Sequence, residues 1–398
     1  DTLSLHDALP ISTTPAIAMV LAESALAAQD AAELARIDID PLPAVASVDA
    51  ALSAGAVQLH DSTPGNVSVH FEAGDAQAVE AAFARAAHVS HLRIHSQRLM
   101  GVPMEPRAVV VKHDAATGIT RVHSPNQGVL GLLGHLSAVT GIAVEQLQVD
   151  TQDVGGSFGV RIGPFSEHAV MVMAARQLAR PVRWVASRSE VFLSDWHGRA
   201  LTLKGSIALD AQGKILALRY HDQVDLGAYN AYMSSFIGTR NLSVTMGGVY
   251  KVPALYMRSD LVYTNATPVS AYRGAGRPDI AYAIERLIDY AAHEHGLDPV
   301  ALRRLNFIPP TEFPYTTANG TVYDGNNVVL EAVNSGQSDV GIIYHYYWYR
   351  DQAESGEMSD SSALHFFRNQ DPGAFLSVSG AGVLASSDKQ ADAQKFVD

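Results

Sequence analysis

The chain has 398 residues, 47% of them hydrophobic and 17% charged, with a formal net charge of −13 and no cysteine. That length suits two or three domains with sizeable cores, and the composition is globular rather than disordered. The missing thiol excludes disulfides, thiolate zinc or iron–sulfur sites and a cysteine nucleophile, and the acid excess gives nucleic acid or an anionic membrane no basic footprint. The opening DTLSLHDALPIS (residues 1–12) fits no element and reads as extraneous, adapter-like sequence. Pro15–Ala28 imitates a signal-peptide core, but no Lys or Arg precedes Arg36 and Glu23 interrupts the run. No stretch approaches the roughly 18 apolar residues that span a bilayer.

The residue pattern then predicts a buried strand at Ala16–Leu21, an Ala-rich helix over Glu23–Ala35 and an alternating strand at Arg36–Asp40. Pro41, Pro43 and the polar stretch His60–Gly65 mark a boundary. A strand at Val67–Phe71 precedes a helix over Asp75–Ala87, where Val79, Ala82, Phe83 and Ala86 fall at helical spacing. Ala108–His113 and Ile119–Ser124, joined by Ala116-Thr117-Gly118, form a hairpin. A helix over Gln127–Val139, a strand at Leu147–Thr151, a Gly-rich turn and a helix over Phe165–Leu178 come next. Leu201–Asp210 alternates cleanly and returns as Ile215–Val224. Ala281–Glu294 is a helix, and Asp298 with Pro299 starts another, as a capping acid followed by a first-turn proline should. Helices and strands mix without a regular βαβ repeat, which favours an α+β fold. Composition shifts after about Asp324, so a boundary falls near 310–327.

Two Gly-rich loops stand before helices. In Val154-Gly155-Gly156-Ser157-Phe158-Gly159, glycines let backbone N–H groups approach a ligand, and the following helix N-terminus favours an anion. The spacing matches neither a P-loop nor a dinucleotide fingerprint, and alone it reads as a tight turn. Ala271-Tyr272-Arg273-Gly274-Ala275-Gly276-Arg277-Pro278 adds two arginines suited to an oxyanion, or simply solvated on a surface loop. His293-Glu294-His295 lacks the four-residue spacing of a zinc helix and reads as a polar helix end; Asp195-Trp196-His197 reads as a surface loop. No Gly-x-Ser-x-Gly elbow occurs. Tyr344-His345-Tyr346-Tyr347-Trp348-Tyr349 could supply phenolate oxygens to ferric iron or end an aromatic strand; spacing leaves both open.

Together, PLPAVASVDAAL, PMEPRAVV, NQGVLGLL, DVGGSFGVR, RPVRWVASRSE, LGAYN, AYRGAGRPD and ERLIDYAAHEHGLDPVALRRLNF carry a resemblance. Residues 13–325 resemble the molybdenum-binding large subunit of the xanthine dehydrogenase, aldehyde oxidase and carbon monoxide dehydrogenase family. The resemblance implies an α/β hammerhead tail over 13–58 and a first cofactor-binding domain over 62–325. It implies molybdenum on a pyranopterin, in bacteria often the cytosine dinucleotide form, and hydroxylation of a carbon centre with oxygen from water. It also implies [2Fe–2S] clusters and FAD on a small iron–sulfur subunit and a medium flavin subunit, in the cytoplasm, which suits a chain without cysteine. Gln127 matches the glutamine beside an oxygen ligand of the metal; Gly156, Phe158 and Gly159 match the turn beside it, and Arg273 the loop arginine. Ile162, Asn241 and Ala275 fall where purine-oxidising members carry glutamate, arginine and an aromatic residue, which points away from purines and toward an aldehyde or small heterocycle. Gly274 stands where the copper-binding cysteine of carbon monoxide oxidisers would be, so no copper is expected.

The family's general-base glutamate belongs to a second cofactor-binding domain, and the residues after 325 do not resemble that domain. Residues 326–398, through NNVVLEAVNSGQSDVGIIYHYYWYRDQAESG and DPGAFLSVSGAGVL, resemble periplasmic ferric-iron-binding proteins of ABC transporters, a partial α/β lobe whose adjacent tyrosines would be Tyr346 and Tyr347. The expectation is a chimeric chain joined near Asp324-Gly325-Asn326, with its final part of periplasmic origin.

Overall fold

A computed structural model describes residues 18–313, 315–320, 322–323 and 352–353. The chain divides into two units, Asp1–Val322 and Tyr323–Asp398. The two main sheets lie in the first. The larger has five strands: β1 (Val67–Gly74), β2 (His88–Ser96), β7 (Leu201–Leu209), β8 (Ile215–Gly227) and β9 (Leu255–Tyr263). Their order is β1-β9-β8-β7-β2; only β8 and β9 run parallel. The smaller has β3 (Ala108–His113), β4 (Thr120–His123), β5 (Leu147–Asp150) and β6 (Val182–Val185), in the order β5-β4-β3-β6. In the smaller sheet β4 and β5 run parallel and the other pairs antiparallel, so helices and mixed sheets combine without a regular βαβ repeat.

Local signals placed most elements. The predicted hairpin β3–β4 forms, with Val111 opposite Val122. Two early helices start at side-chain caps: α1 (Ala25–Glu33) at Ser24 and α2 (Ala76–Ala84) at Asp75. Helices α3 (Val129–Thr140) and α4 (Ser166–Leu178) cover the smaller sheet, where Leu132, Leu136, Met171 and Val172 meet Val109, Val111, Val122 and Val182. After α5 (Arg188–Ser194), the long α6 (Arg277–Glu294) lays Ile280, Ala283, Ile284, Leu287 and Ile288 on the larger sheet, against a core with Leu203, Ile207 and Leu218. Each fully buried Leu or Ile there contributes about 2 kcal/mol.

Three expectations need correction. Arg36–Asp40 forms no strand and lies exposed, because its alternation has no neighbouring edge to pair with. Residues 18–22 form no strand either; Val20 is buried, and Met19 and Leu21 pack on the smaller core through side chains alone. Helix α6 begins at Arg277, four residues earlier than predicted, because Pro278 takes the first turn after a Gly276 cap instead of ending the loop.

The predicted start of α7 (Pro299–Asn306) holds: Asp298 caps it, accepting from the Ala301 N–H at 2.6 Å. Asp298→Ala should remove about 1 kcal/mol, read as a lower urea midpoint with an unchanged slope.

Candidate functional site

Gln127 lies one residue before the Gly128 cap of α3, so it is outside the helix predicted to contain it. Its backbone N–H donates to Arg161 O at 3.0 Å. Its side-chain oxygen accepts from the Gly159 N–H at 3.1 Å and from the Ser157 hydroxyl. The amide is thereby oriented oxygen-inward, and its NH2 group has no partner among the described residues while the side chain is exposed. Ser157 Oγ in turn accepts from the Arg161 N–H at 3.3 Å.

The turn is strained. Gly156 and Gly159 have φ of +108° and +98°, and Phe158, which is not glycine, has φ +53° with its ring half exposed. Such a residue costs on the order of 1–3 kcal/mol, and conformations of this kind gather at ligand sites. The N–H groups of Gly156, Ser157 and Phe158 make no hydrogen bond among the described residues. Successive free amides of this kind form an anion-binding concavity.

The second loop docks on the first. Arg273 N–H donates to Phe158 O at 2.8 Å, and a Cβ on Gly159 would stand 2.6 Å from Ala271 O. Only glycine allows that approach. Arg199, itself at φ +64°, donates to Arg273 O at 2.8 Å and to Tyr272 O at 3.2 Å, and pairs with the buried Asp279 at 3.4 Å. Asp279 also accepts from Ser96 at 2.5 Å, and burial raises its carboxyl above the usual range. Asn241 donates to Ala275 O at 3.0 Å. Gln127, Phe158, Gly159 and Arg273 are thus joined directly, and Asn241 and Ala275 join them through the second loop. The Arg273 guanidinium is exposed and has no partner among the described residues, while Ile162 is linked back to the first turn by its N–H on Gly159 O at 3.2 Å. Tyr346 and Tyr347 lie outside the described residues.

Beneath the first turn is a charge cluster that sequence reading missed. Asp195, read as part of a surface loop, is 2% exposed, and Trp196 beside it is 5% exposed. Arg161 reaches Asp195 at 2.9 Å and Glu105 O at 2.9 Å. Arg107 lies 2.6 Å from Asp195, a charge contact too bent to be a hydrogen bond, and 2.9 Å from Glu167. Its guanidinium sits 4.0 Å over Phe165, which stacks on Trp196. Glu105 accepts from the Gly155 N–H at 2.7 Å, so the cluster braces both ends of the turn. The Asp195-Trp196 pair gave no signal because its partners are 34 and 88 positions away.

His168 lies buried against this cluster. It accepts the Phe165 N–H at 3.1 Å and places Nε2 3.1 Å from Ser124 Oγ, which itself donates to Ala108 O. That arrangement needs the neutral ring, and burial lowers its pKa to about 4. A histidine whose folded pKa lies below its unfolded value stabilises above the unfolded pKa and loses that contribution as pH falls toward the folded one. Stability should therefore fall by about 2 kcal/mol between pH 7 and pH 5 through this residue. Urea midpoints at the two pH values check it: His168→Asn should lose distinctly less than wild type.

Residues 59–307 match the molybdopterin cofactor-binding domain. The chain belongs to this family. It is 34% identical over 337 residues to subunit gamma of the 6-hydroxypseudooxynicotine dehydrogenase complex of Paenarthrobacter nicotinovorans, covering 80% of this chain and 41% of that protein. Quinoline 2-oxidoreductase of Pseudomonas putida 86 superposes with a TM-score of 0.71 at 30% identity, over 85% of this chain and 43% of that one. The chain therefore spans about two-fifths of the length of these family relatives. A stretch of 79 residues, 20% of this chain, is 56% identical to the Fe(3+)-binding periplasmic protein of Serratia marcescens and covers 23% of it. Molybdopterin binding, mixed α/β architecture and two dissimilar relatives in one chain all agree with the reading of the sequence.

Proposed function

We propose that this chain is part of the large subunit of a molybdenum hydroxylase. Residues 13–58 are the tail of a hammerhead domain, 62–325 the first cofactor-binding domain and 326–398 a ferric-binding-protein fragment joined near Asp324-Gly325-Asn326. The observation that carries the reading is the junction of the two Gly-rich loops, Arg273 N–H on Phe158 O, with unengaged donors on both sides of it. The donor set fits an anionic oxo-metal pyranopterin: the Gln127 amide, the free N–H groups of Gly156, Ser157 and Phe158, and the Arg273 guanidinium. When bound, the cofactor supplies two-electron oxidation of a carbon centre with oxygen from water. The chain's own residues orient the group and hold donors fixed toward negative charge, an arrangement that needs no reorganisation during reaction.

Ile162, Asn241 and Ala275 provide neither charge nor an aromatic stack, which supports an aldehyde or a small heterocycle over a purine. Gly274 offers copper no ligand. The cytosine dinucleotide form, [2Fe–2S] and flavin subunits as partners, and a cytoplasmic site fit a cysteine-free large subunit. Turnover requires a general base, which this reading places in a second cofactor-binding domain and not in residues 62–325. The deciding experiment is anaerobic equilibrium dialysis with purified molybdenum pyranopterin cytosine dinucleotide. Gln127→Ala with Arg273→Ala should weaken retention at least about tenfold; equal retention by wild type and double variant would sink the reading.

The Serratia relative favours a second reading, confined to the end of the chain. There Tyr346 and Tyr347 would bind ferric iron. Adding ferric iron should then give a tyrosinate-to-metal absorbance that Tyr346→Phe with Tyr347→Phe removes; two ligands from part of a lobe should hold the ion weakly.

A further inference from the structure

On the face opposite α6, helix α2 covers one end of the larger sheet through Val79, Ala82, Ala208 and Ala217, and one polar row beside it is unusual. Arg258 on β9 stands directly opposite His221 on β8, His221 opposite Lys204 on β7, and Lys204 opposite Arg93 on β2. Lys204 and Arg93 are two cations directly opposite each other, and like charges facing across strands destabilise a sheet. The countercharges inside the fold are uneven. Arg258 and His221 share Asp260, at 3.2 and 2.8 Å. Arg93 has only Asp49 at 3.8 Å, with both side chains well exposed. Lys204 is exposed and has no hydrogen bond or ion pair with any described residue. Arg219, one row along, is already matched by Glu80.

Arg93 also borders a cavity of about 300 Å³, together with His95, Arg98, Ser47 and Thr202. Arg98 is neutralised there by Asp225 at 2.8 Å, while Arg93 meets only Asp49, at 3.8 Å. In a chain of net charge −13, the facing cations Lys204 and Arg93, which lack full internal partners, are stabilised best by negative charge from outside.

We propose that this row is the docking surface for a short carboxylate-rich segment of a partner protein, lying across β9, β8, β7 and β2. Four strands span roughly 15 Å, the reach of about five extended residues. A long polyanion such as nucleic acid fits poorly. Glu72 stands opposite Arg258 at one end of the row and Asp49 flanks Arg93 at the other, so the favourable field ends where the row ends. The inference is independent of the molybdenum reading, since it concerns neither Gly-rich loop.

The test is fluorescence anisotropy of a fluorescein-labelled peptide of five glutamates, titrated at low salt with the full chain. Saturable binding is expected, weakened about fivefold by Arg93→Gln or by Lys204→Gln, and roughly 25-fold by both together. Lys251→Gln, an exposed lysine paired with Glu312 elsewhere, should change nothing. Lys204→Glu should bind no peptide yet melt no lower than wild type, because it relieves the repulsion; this separates lost docking from lost folding. Absence of binding, indifference to the double variant, or equal binding of a 12-nucleotide single-stranded DNA would each overturn the proposal.

Discussion

Asp195→Ala should lower the thermal midpoint by roughly 10 °C. Asp195 neutralises two guanidinium groups, Arg161 and Arg107, each with 2% of its side chain exposed. Removing one partner of a buried pair leaves charge without compensation, at about 3–5 kcal/mol. In a body of this size each kcal/mol is worth about 2–4 °C. Glu167 still holds Arg107, so the uncompensated charge falls on Arg161, which also anchors Glu105 and, through its backbone, Ser157 and Gln127. The damage should therefore reach the first Gly-rich turn. Differential scanning calorimetry measures the midpoint. Asp195→Leu with Arg161→Met should recover part of the loss, because an apolar pair of similar volume tolerates burial better than a lone charge. A midpoint within about 2 °C of wild type for the alanine variant would show that the cluster is not sealed from solvent.

What was legible in the sequence was local. The β3–β4 hairpin has its turn between its strands, and α7 has its cap and proline side by side. The two loops were legible as chemistry only because a resemblance joined them; taken singly, the first read as a tight turn and the second as a surface loop. The contact that unites them, Arg273 to Phe158, spans 115 positions, and no periodicity encodes it. The buried cluster failed for a sharper reason. Asp, Trp and His in succession suggest a surface, and only the partners Arg107 and Arg161 make Asp195 tolerable inside. The reverse error occurred at Arg36–Asp40, where alternation existed without an edge to pair it. Pairing partners are a tertiary fact: β9, whose neighbours are β8 on one side and β1 on the other, carries no local mark of either.

Gly159→Ala tests the loop junction itself. The new methyl would lie 2.6 Å from Ala271 O and 2.8 Å from its carbonyl carbon. Both are backbone atoms, so no side chain can swing aside. The φ of +98° adds a penalty of about 1–3 kcal/mol for any residue with a Cβ. The two loops must separate, breaking Arg273 N–H to Phe158 O and shifting the Gly159 N–H from Gln127. Hydrogen exchange should accelerate across 156–162 and 271–276, and pyranopterin retention in dialysis should fall by at least about tenfold, the equivalent of 1.4 kcal/mol. The comparison is Gly134→Ala in α3, where a methyl meets nothing within 4 Å and φ is helical. That change should stabilise by up to about 1 kcal/mol through helix propensity and leave retention untouched. The same substitution at two glycines should thus have opposite signs. If Gly159→Ala leaves both exchange and retention unchanged, the loops are held together by something other than this contact, and the donors around it do not form one site.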